Sequence, residues 1–314
     1  MKKGFITFFI LPVLFLVSCV TFNHKDPYPN MEIVTYGDSR GYAFPSENSN
    51  KLIINLEGSG WNSVLGLYNG KKWTETHHGA QLLQVLNDTY TFLIPEKFKR
   101  QPGNNYENDM DDRERYTAEN LIACYTELIN GYLNEHDFSS IILIGISEGA
   151  ILLPSVYRNI DEKHKSNVKA LVSCSGGGLS LYEDYEILVK REGPKKWQEW
   201  VNMYRFYLEE YKPGKEEYPD SFDEIINGVT FRWWNSVKDI RPFDHYKDIE
   251  IPVVFFHGYS DYNIPVESVA YIADNIKDKQ FYYKIYKWAH QPEKYSDIIE
   301  FRNDIAAWIL HIDK

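Results

Sequence analysis

One stretch limits what this chain can become: Ile141-Ile-Leu-Ile-Gly-Ile-Ser-Glu-Gly-Ala150. Ile141 to Ile144, apolar without polar alternation, read as a strand buried on both faces. Gly145-Ile146-Ser147-Glu148-Gly149 then matches G-x-S-x-G, and the apolar run Ala150 to Leu153 opens a helix. Strand, tight turn and helix, in that order, form the context in which this pattern presents a serine as a nucleophile. A serine hydroxyl is a weak nucleophile, so it has to project bare from a sharp turn within reach of a base. Small residues two before and two after it let strand and helix approach closely.

The flanking sequence repeats the strand–helix alternation. Strands are expected at 31–36 and 40–44 around a Gly37-Asp38 turn, at 51–56, at 90–94 where Pro95 breaks the run, and at 168–174, 251–256 and 281–286. Helical spacing marks 78–86, 266–276 and 293–312. It is strongest at Leu121, Ile122, Tyr125, Leu128, Ile129, Tyr132 and Leu133, after a polar loop from 96 to about 115. This alternation predicts an α/β fold, a mostly parallel central sheet with helices on both faces. The 314 residues suffice for one large domain of this kind with an insertion. Between 176 and 250 the pattern changes. Trp197, Trp200, Tyr204, Phe206, Tyr207, Tyr211, Phe231, Trp233 and Trp234 crowd a stretch with helical spacing and no convincing strand. It reads as a helical, aromatic-rich cap inserted before the strand at 251, with most of these rings packing the cap itself. The division is therefore 31–175 and 251–314 for the core and 176–250 for the cap.

The N-terminus stands apart. Lys2 and Lys3 precede an apolar run from Phe5 to Val17 that is short for a membrane span and ends Leu16-Val17-Ser18-Cys19. This resembles the lipobox of bacterial lipoproteins. The resemblance implies removal of 1–18 as a signal peptide, lipidation of Cys19, a tether over 19–30, and an extracytoplasmic protein anchored to the membrane of the bacterial cell envelope. An ordinary secretory signal or a short membrane anchor is the other reading of the same residues.

The formal charge of −11, with no Lys/Arg-rich stripe, argues against a nucleic-acid partner. Cys124 and Cys174 lie among apolar residues and read first as buried free thiols, a disulfide remaining open. Neither has metal-ligand spacing, and His77-His78 diverge if helical, so no metal site and no cofactor is expected.

Two further residues complete a constellation. Asp261 lies in His257-Gly-Tyr-Ser-Asp-Tyr-Asn-Ile-Pro265, and His290 follows the strand at 281–286. Alone, Asp261 is a good turn former and His290 an ordinary structural histidine. The order Ser147, Asp261, His290, each just after a strand, resembles the α/β-hydrolase superfamily, as does the H-G-x-x-D-x-x-[IV]-P turn. The likeness spans about 31–312 apart from the cap. It implies a Ser147–His290–Asp261 triad and an oxyanion hole built from the Glu148 N–H and an N–H of the loop Glu57-Gly58-Ser59-Gly60. There Ser59 matches the usual donor and Gly60 is the near alternative. Glu57 departs from the family's usual His. It should turn away from an oxyanion, either in a structural hydrogen bond or to grip a substrate amine. The expected activity is hydrolysis of a carboxylic ester or related acyl bond in a small-molecule or peptide substrate. A serine peptidase on the same fold comes second, and a surface lipoprotein that binds without turnover is the rival from another class.

Overall fold

The computed structural model describes residues 30–68, 72–74, 78–101, 104–193, 197–198, 201–202, 225–226, 229–238, 240–277 and 280–313. The expected signal peptide, Cys19 and nearly all of the tether lie outside these residues. So do His77 and, in the insertion, Trp200, Tyr204, Phe206, Tyr207, Tyr211 and Asp239.

Eight strands form the central sheet: β1 (Glu32–Tyr36), β2 (Ser39–Phe44), β3 (Lys51–Leu56), β4 (Thr91–Pro95), β5 (Ser140–Ile146), β6 (Val168–Cys174), β7 (Val253–Gly258) and β8 (Phe281–Tyr286). Their order is β1-β2-β4-β3-β5-β6-β7-β8. Only β2 runs antiparallel to its neighbours, joined to β1 through a turn with Gly37 at φ 55°. The other pairs are parallel and so need crossovers. Helix α1 (His78–Leu86) leads to β4, α2 (Ala118–Glu135) to β5, and α3 (Glu148–Asn159) towards β6. Helices α4 (Leu181–Glu192) and α5 (Phe231–Val237) belong to the insertion. Helix α6 (Val266–Asn275) joins β7 to β8, and α7 (Tyr295–Ile312) closes the chain.

The apolar run of β5 serves two cores at once. Ile141 and Leu143 pack with α2 and α3 on one face, whereas Ile142, Ile144 and Ile146 pack with Leu82, Leu83, Leu86 and Phe301 on the other. Period-2 alternation is thus present in a strand with no polar residue, because both faces are covered. From β3 the chain steps outward to β4 and then back past β3 to β5. Adjacent strands β3 and β5 thereby bring the loops that follow them side by side at the carboxyl ends of the strands, where open α/β sheets place their ligands.

Three expectations change. Pro95 is the last residue of β4, paired with Gly41, rather than a break before it. Its missing N–H falls beyond the parallel pairing with β3, which stops at Leu93. The segment 96–115 is not a solvated loop: Glu96, Lys97 and Arg100 are almost completely buried, and Met110–Arg115 is helical. Each of these charges finds a buried partner, which composition cannot reveal. In the insertion, Ile225–Ile226 and Val229–Thr230 form a short antiparallel pair. Its described rings do pack a core: Tyr185 stacks on Trp197 at 5.5 Å, and Trp233 meets Trp234 edge-on at 4.8 Å.

Candidate active site

Ser147 occupies the turn between β5 and α3 at φ 53°, ψ −112°, a region a non-glycine residue enters at a cost of about 1–3 kcal/mol. The flanking glycines explain how the turn is held. A Cβ on Gly145 would stand 2.4 Å from the Gly149 carbonyl oxygen, and one on Gly149 would stand 2.2 Å from that of Leu56. The Ser147 N–H bonds the Cys174 carbonyl at 2.9 Å, pinning the turn to the end of β6. Ser147 is left half-buried at the carboxyl end of β5.

Asp261 and His290 arrive from β7 and β8. His290 Nε2 lies 2.9 Å from Ser147 Oγ, and its Nδ1 lies 2.8 Å from Asp261 Oδ2. Asp261 is fully buried, and its Oδ1 accepts the N–H groups of Asn263 (2.8 Å) and Ile264 (3.0 Å). Burial alone would raise its pKa. The charge and hydrogen bond of His290, then His257 and the Ile264 amide, outweigh that and hold the carboxyl below the usual aspartate value. With Nδ1–H donated to the carboxylate, Nε2 is left to accept from the serine hydroxyl. The two loops are laced together. Tyr259 N–H bonds Tyr286 O (2.7 Å), Ser260 N–H bonds Trp288 O (3.1 Å), and Ser175 Oγ donates to His290 O (2.5 Å). A Cβ on Gly258 would stand 1.8 Å from Ala289 O, so this approach requires glycine. Of the other acids near in sequence, Asp244 is exposed and pairs with Lys247, and Asp297 accepts from Ser296 on the first turn of α7.

The loop after β3 lies against the nucleophile: a Cβ on Gly58 would be 3.4 Å from Ser147 Cβ. The Gly60 N–H donates to Tyr116 Oη at 3.1 Å, so Gly60, the alternative oxyanion donor, is already engaged. The cause is the buried Tyr116 hydroxyl beneath the loop, which sequence did not bring into the site. Among the described residues, neither Ser59 N–H nor Glu148 N–H makes a hydrogen bond. Glu57 is buried and takes a hydrogen bond from the Asn55 side-chain amide, the structural alternative weighed for it. Glu148 turns inward from the turn, meeting Lys97 Nζ (3.0 Å), Tyr116 Oη (2.9 Å) and the Trp233 indole N–H.

Lys97, Arg100, Tyr116, Ser175 and His257 support this region and were not singled out from sequence as site residues. His257 donates from Nε2 to Ile264 O at 2.9 Å, holding the acid loop; burial, its largest influence, lowers its pKa. Their readable signals were position, since Lys97, Ser175 and His257 all fall at the carboxyl ends of sheet strands, and for His257 its place at the head of the H-G-x-x-D-x-x-[IV]-P turn. Cys124 and Cys174 are buried free thiols. Among the described residues no group of three His, Cys, Asp or Glu side chains is placed to hold a metal.

No family model matches the chain, and no curated protein sequence does. Solved structures share its fold. An acylaminoacyl peptidase from Pyrococcus horikoshii superposes with a TM-score of 0.59 at 14% identity over 91% of this chain. The chain spans only 41% of that protein's length. Est1E from Butyrivibrio proteoclasticus, with ferulic acid bound, gives 0.60 at 16% identity over 90% of this chain and 100% of that one. Mouse alpha/beta hydrolase domain-containing protein 10 gives 0.54 at 15% identity, covering 90% and 99%. The chain has the α/β-hydrolase fold. At these identities the likeness establishes that fold and leaves its chemistry to the site. In an α/β-hydrolase fold the eight-stranded order found here carries residues of three strand ends to one edge, which is where Ser147, Asp261 and His290 stand.

Proposed function

We propose that this protein is a serine hydrolase that cleaves a carboxylic ester or related acyl bond through Ser147, His290 and Asp261. One observation carries the reading: His290 bridges the serine hydroxyl and a buried carboxylate at 2.9 and 2.8 Å. In the proposed reaction Ser147 Oγ attacks the acyl carbonyl as His290 Nε2 takes its proton, and Asp261 stabilises the imidazolium. The tetrahedral oxyanion accepts hydrogen bonds from Ser59 N–H and Glu148 N–H. Collapse expels the alcohol, which takes the proton from His290, and leaves an acyl-serine. Water, deprotonated by His290, attacks that ester, and its collapse returns the acid and the free serine.

An ester is preferred to a peptide bond because the compared esterase is covered end to end, whereas the peptidase is covered over 41% of its length. The proposed setting is extracytoplasmic, with Cys19 lipidated; Leu16-Val17-Ser18-Cys19 after a basic, apolar start supports it. More than one acyl chain would make such an anchor stable.

A fluorophosphonate probe tests the central claim. Wild-type protein should be labelled at Ser147 and hydrolyse short chromogenic esters. Ser147→Ala should lose labelling and on the order of 10⁴-fold or more of turnover with its melting unchanged. An unlabelled wild type, or a variant keeping a tenth of the activity, rejects the assignment and leaves a protein that binds without turnover.

A further inference from the structure

A single buried ammonium connects the two halves of the proposed oxyanion hole. Lys97 follows β4 and is almost fully buried. Its Nζ donates to Gly58 O at 2.6 Å and approaches Gly60 O at 3.3 Å. It also lies 3.0 Å from Tyr116 Oη and 3.0 Å from Glu148 Oε2. Tyr116 is used to capacity: it accepts from Gly60 N–H and Lys97 and donates to Glu148. Arg100 adds a second cation on the Gly60 carbonyl at 2.9 Å and is itself neutralised by Asp112.

From these contacts we infer that Lys97 is the positioning residue of the oxyanion hole, an inference that rests on the hydrolase reading above. The peptide plane supplies the reason. Gly58 C=O and Ser59 N–H belong to one planar trans unit and point in opposite directions. A cation gripping the carbonyl from beneath aims the N–H away from itself, on a loop so near the nucleophile that a Cβ on Gly58 would touch Ser147. The same charge polarises the unit and makes its N–H a stronger donor toward a developing anion. Through the Glu148 carboxylate, Lys97 also holds the first residue of α3, whose N–H is the second donor. Both donors are thus referenced to one atom. The Trp233 indole on the same carboxylate carries the insertion into this frame.

Lys97→Met and Tyr116→Phe test the assignment. Four quantities are read: kcat and KM on a short chromogenic ester, the rate of fluorophosphonate labelling, the affinity of a trifluoromethyl ketone, and Tm. The ketone becomes a tetrahedral oxyanion on Ser147 and reports the hole directly. Lys97→Met should lower kcat about 10- to 100-fold at unchanged KM and weaken the ketone in proportion, less than the 10²–10³ of losing a donor outright. Lys97→Arg, which keeps a cation, should recover part of both. Tyr116→Phe keeps its ring against Trp61 and should lower kcat by a few-fold, again without a change in KM. Should Lys97→Met not fold, Tyr116→Phe decides alone. Unchanged kcat and ketone affinity in the folded variants, or loss that tracks Tm with KM rising alongside, overturns the inference while labelled wild-type protein keeps the hydrolase reading intact. An unlabelled wild type overturns both.

Discussion

Replacing Asp261 with Asn isolates the work of the acid, because the site fixes which way the amide must turn. Asp261 Oδ1 accepts two backbone N–H groups and Oδ2 faces His290 Nδ1. An amide has one carbonyl oxygen for both positions. With its oxygen on the loop, its NH₂ opposes Nδ1–H, and His290 keeps the contact only by moving its proton to Nε2. That nitrogen then donates toward Ser147 and is no longer a base. With the amide reversed, NH₂ opposes two buried N–H donors instead of one. The productive tautomer thus leaves at least one buried donor orphaned, at a cost of about 1–3 kcal/mol, where the unproductive one leaves none, so the latter is favoured roughly 10- to 100-fold. Loss of the buried negative charge beside the imidazolium accounts for the remainder of a fall in kcat on the order of 10⁴. The assay is steady-state hydrolysis of a short chromogenic ester beside thermal melting, with Asp244→Asn and Asp297→Asn as matched controls. KM and Tm should hardly move, and both controls should turn over normally. Asp261→Asn retaining more than about a tenth of wild-type kcat would refute the reasoning, and collapse of a control instead would reassign the acid.

Gly149→Ala should destabilise the protein by about 1–3 kcal/mol in urea denaturation, since its Cβ would meet the Leu56 carbonyl at 2.2 Å; a change near zero contradicts the packing. Asp184, buried on α4, has its pKa raised well above the ordinary value, first by burial, with Ser268 as its hydrogen-bond partner. Its contribution to stability is therefore complete below the unfolded pKa and is lost as pH rises through the folded one. Asp184→Asn, which mimics the protonated acid, should gain on wild type steadily as pH rises, and equal slopes in denaturation over that series would contradict it. Cys19→Ala should release the protein from membranes or block maturation, and mass spectrometry showing an unmodified Cys19 or cleavage elsewhere rules out lipidation.

The sheet was legible because its signals are local. Four consecutive apolar residues at Ile141–Ile144, glycines on both sides of Ser147, and helical spacing at Leu121 to Leu133 fix element type over a few residues each. The order Ser147, Asp261, His290 was legible for a related reason: each lies within four residues of the end of a strand, and parallel strands deliver their carboxyl ends to one edge. The sequence by itself thus determined the architecture and nominated three site residues. Tertiary structure decided what lies beneath them. Nothing local marks Glu96, Lys97 and Arg100 as buried, because a charge is tolerated in a core only when distant residues supply its partners. Those partners are Ser63, Glu148 and Asp112. The engagement of the Gly60 N–H likewise turns on Tyr116, whose hydroxyl reaches the loop across 56 residues of chain. Periodicity and motif record what neighbours along the chain require of each other; the satisfaction of buried polar groups is settled only by which segments meet in space.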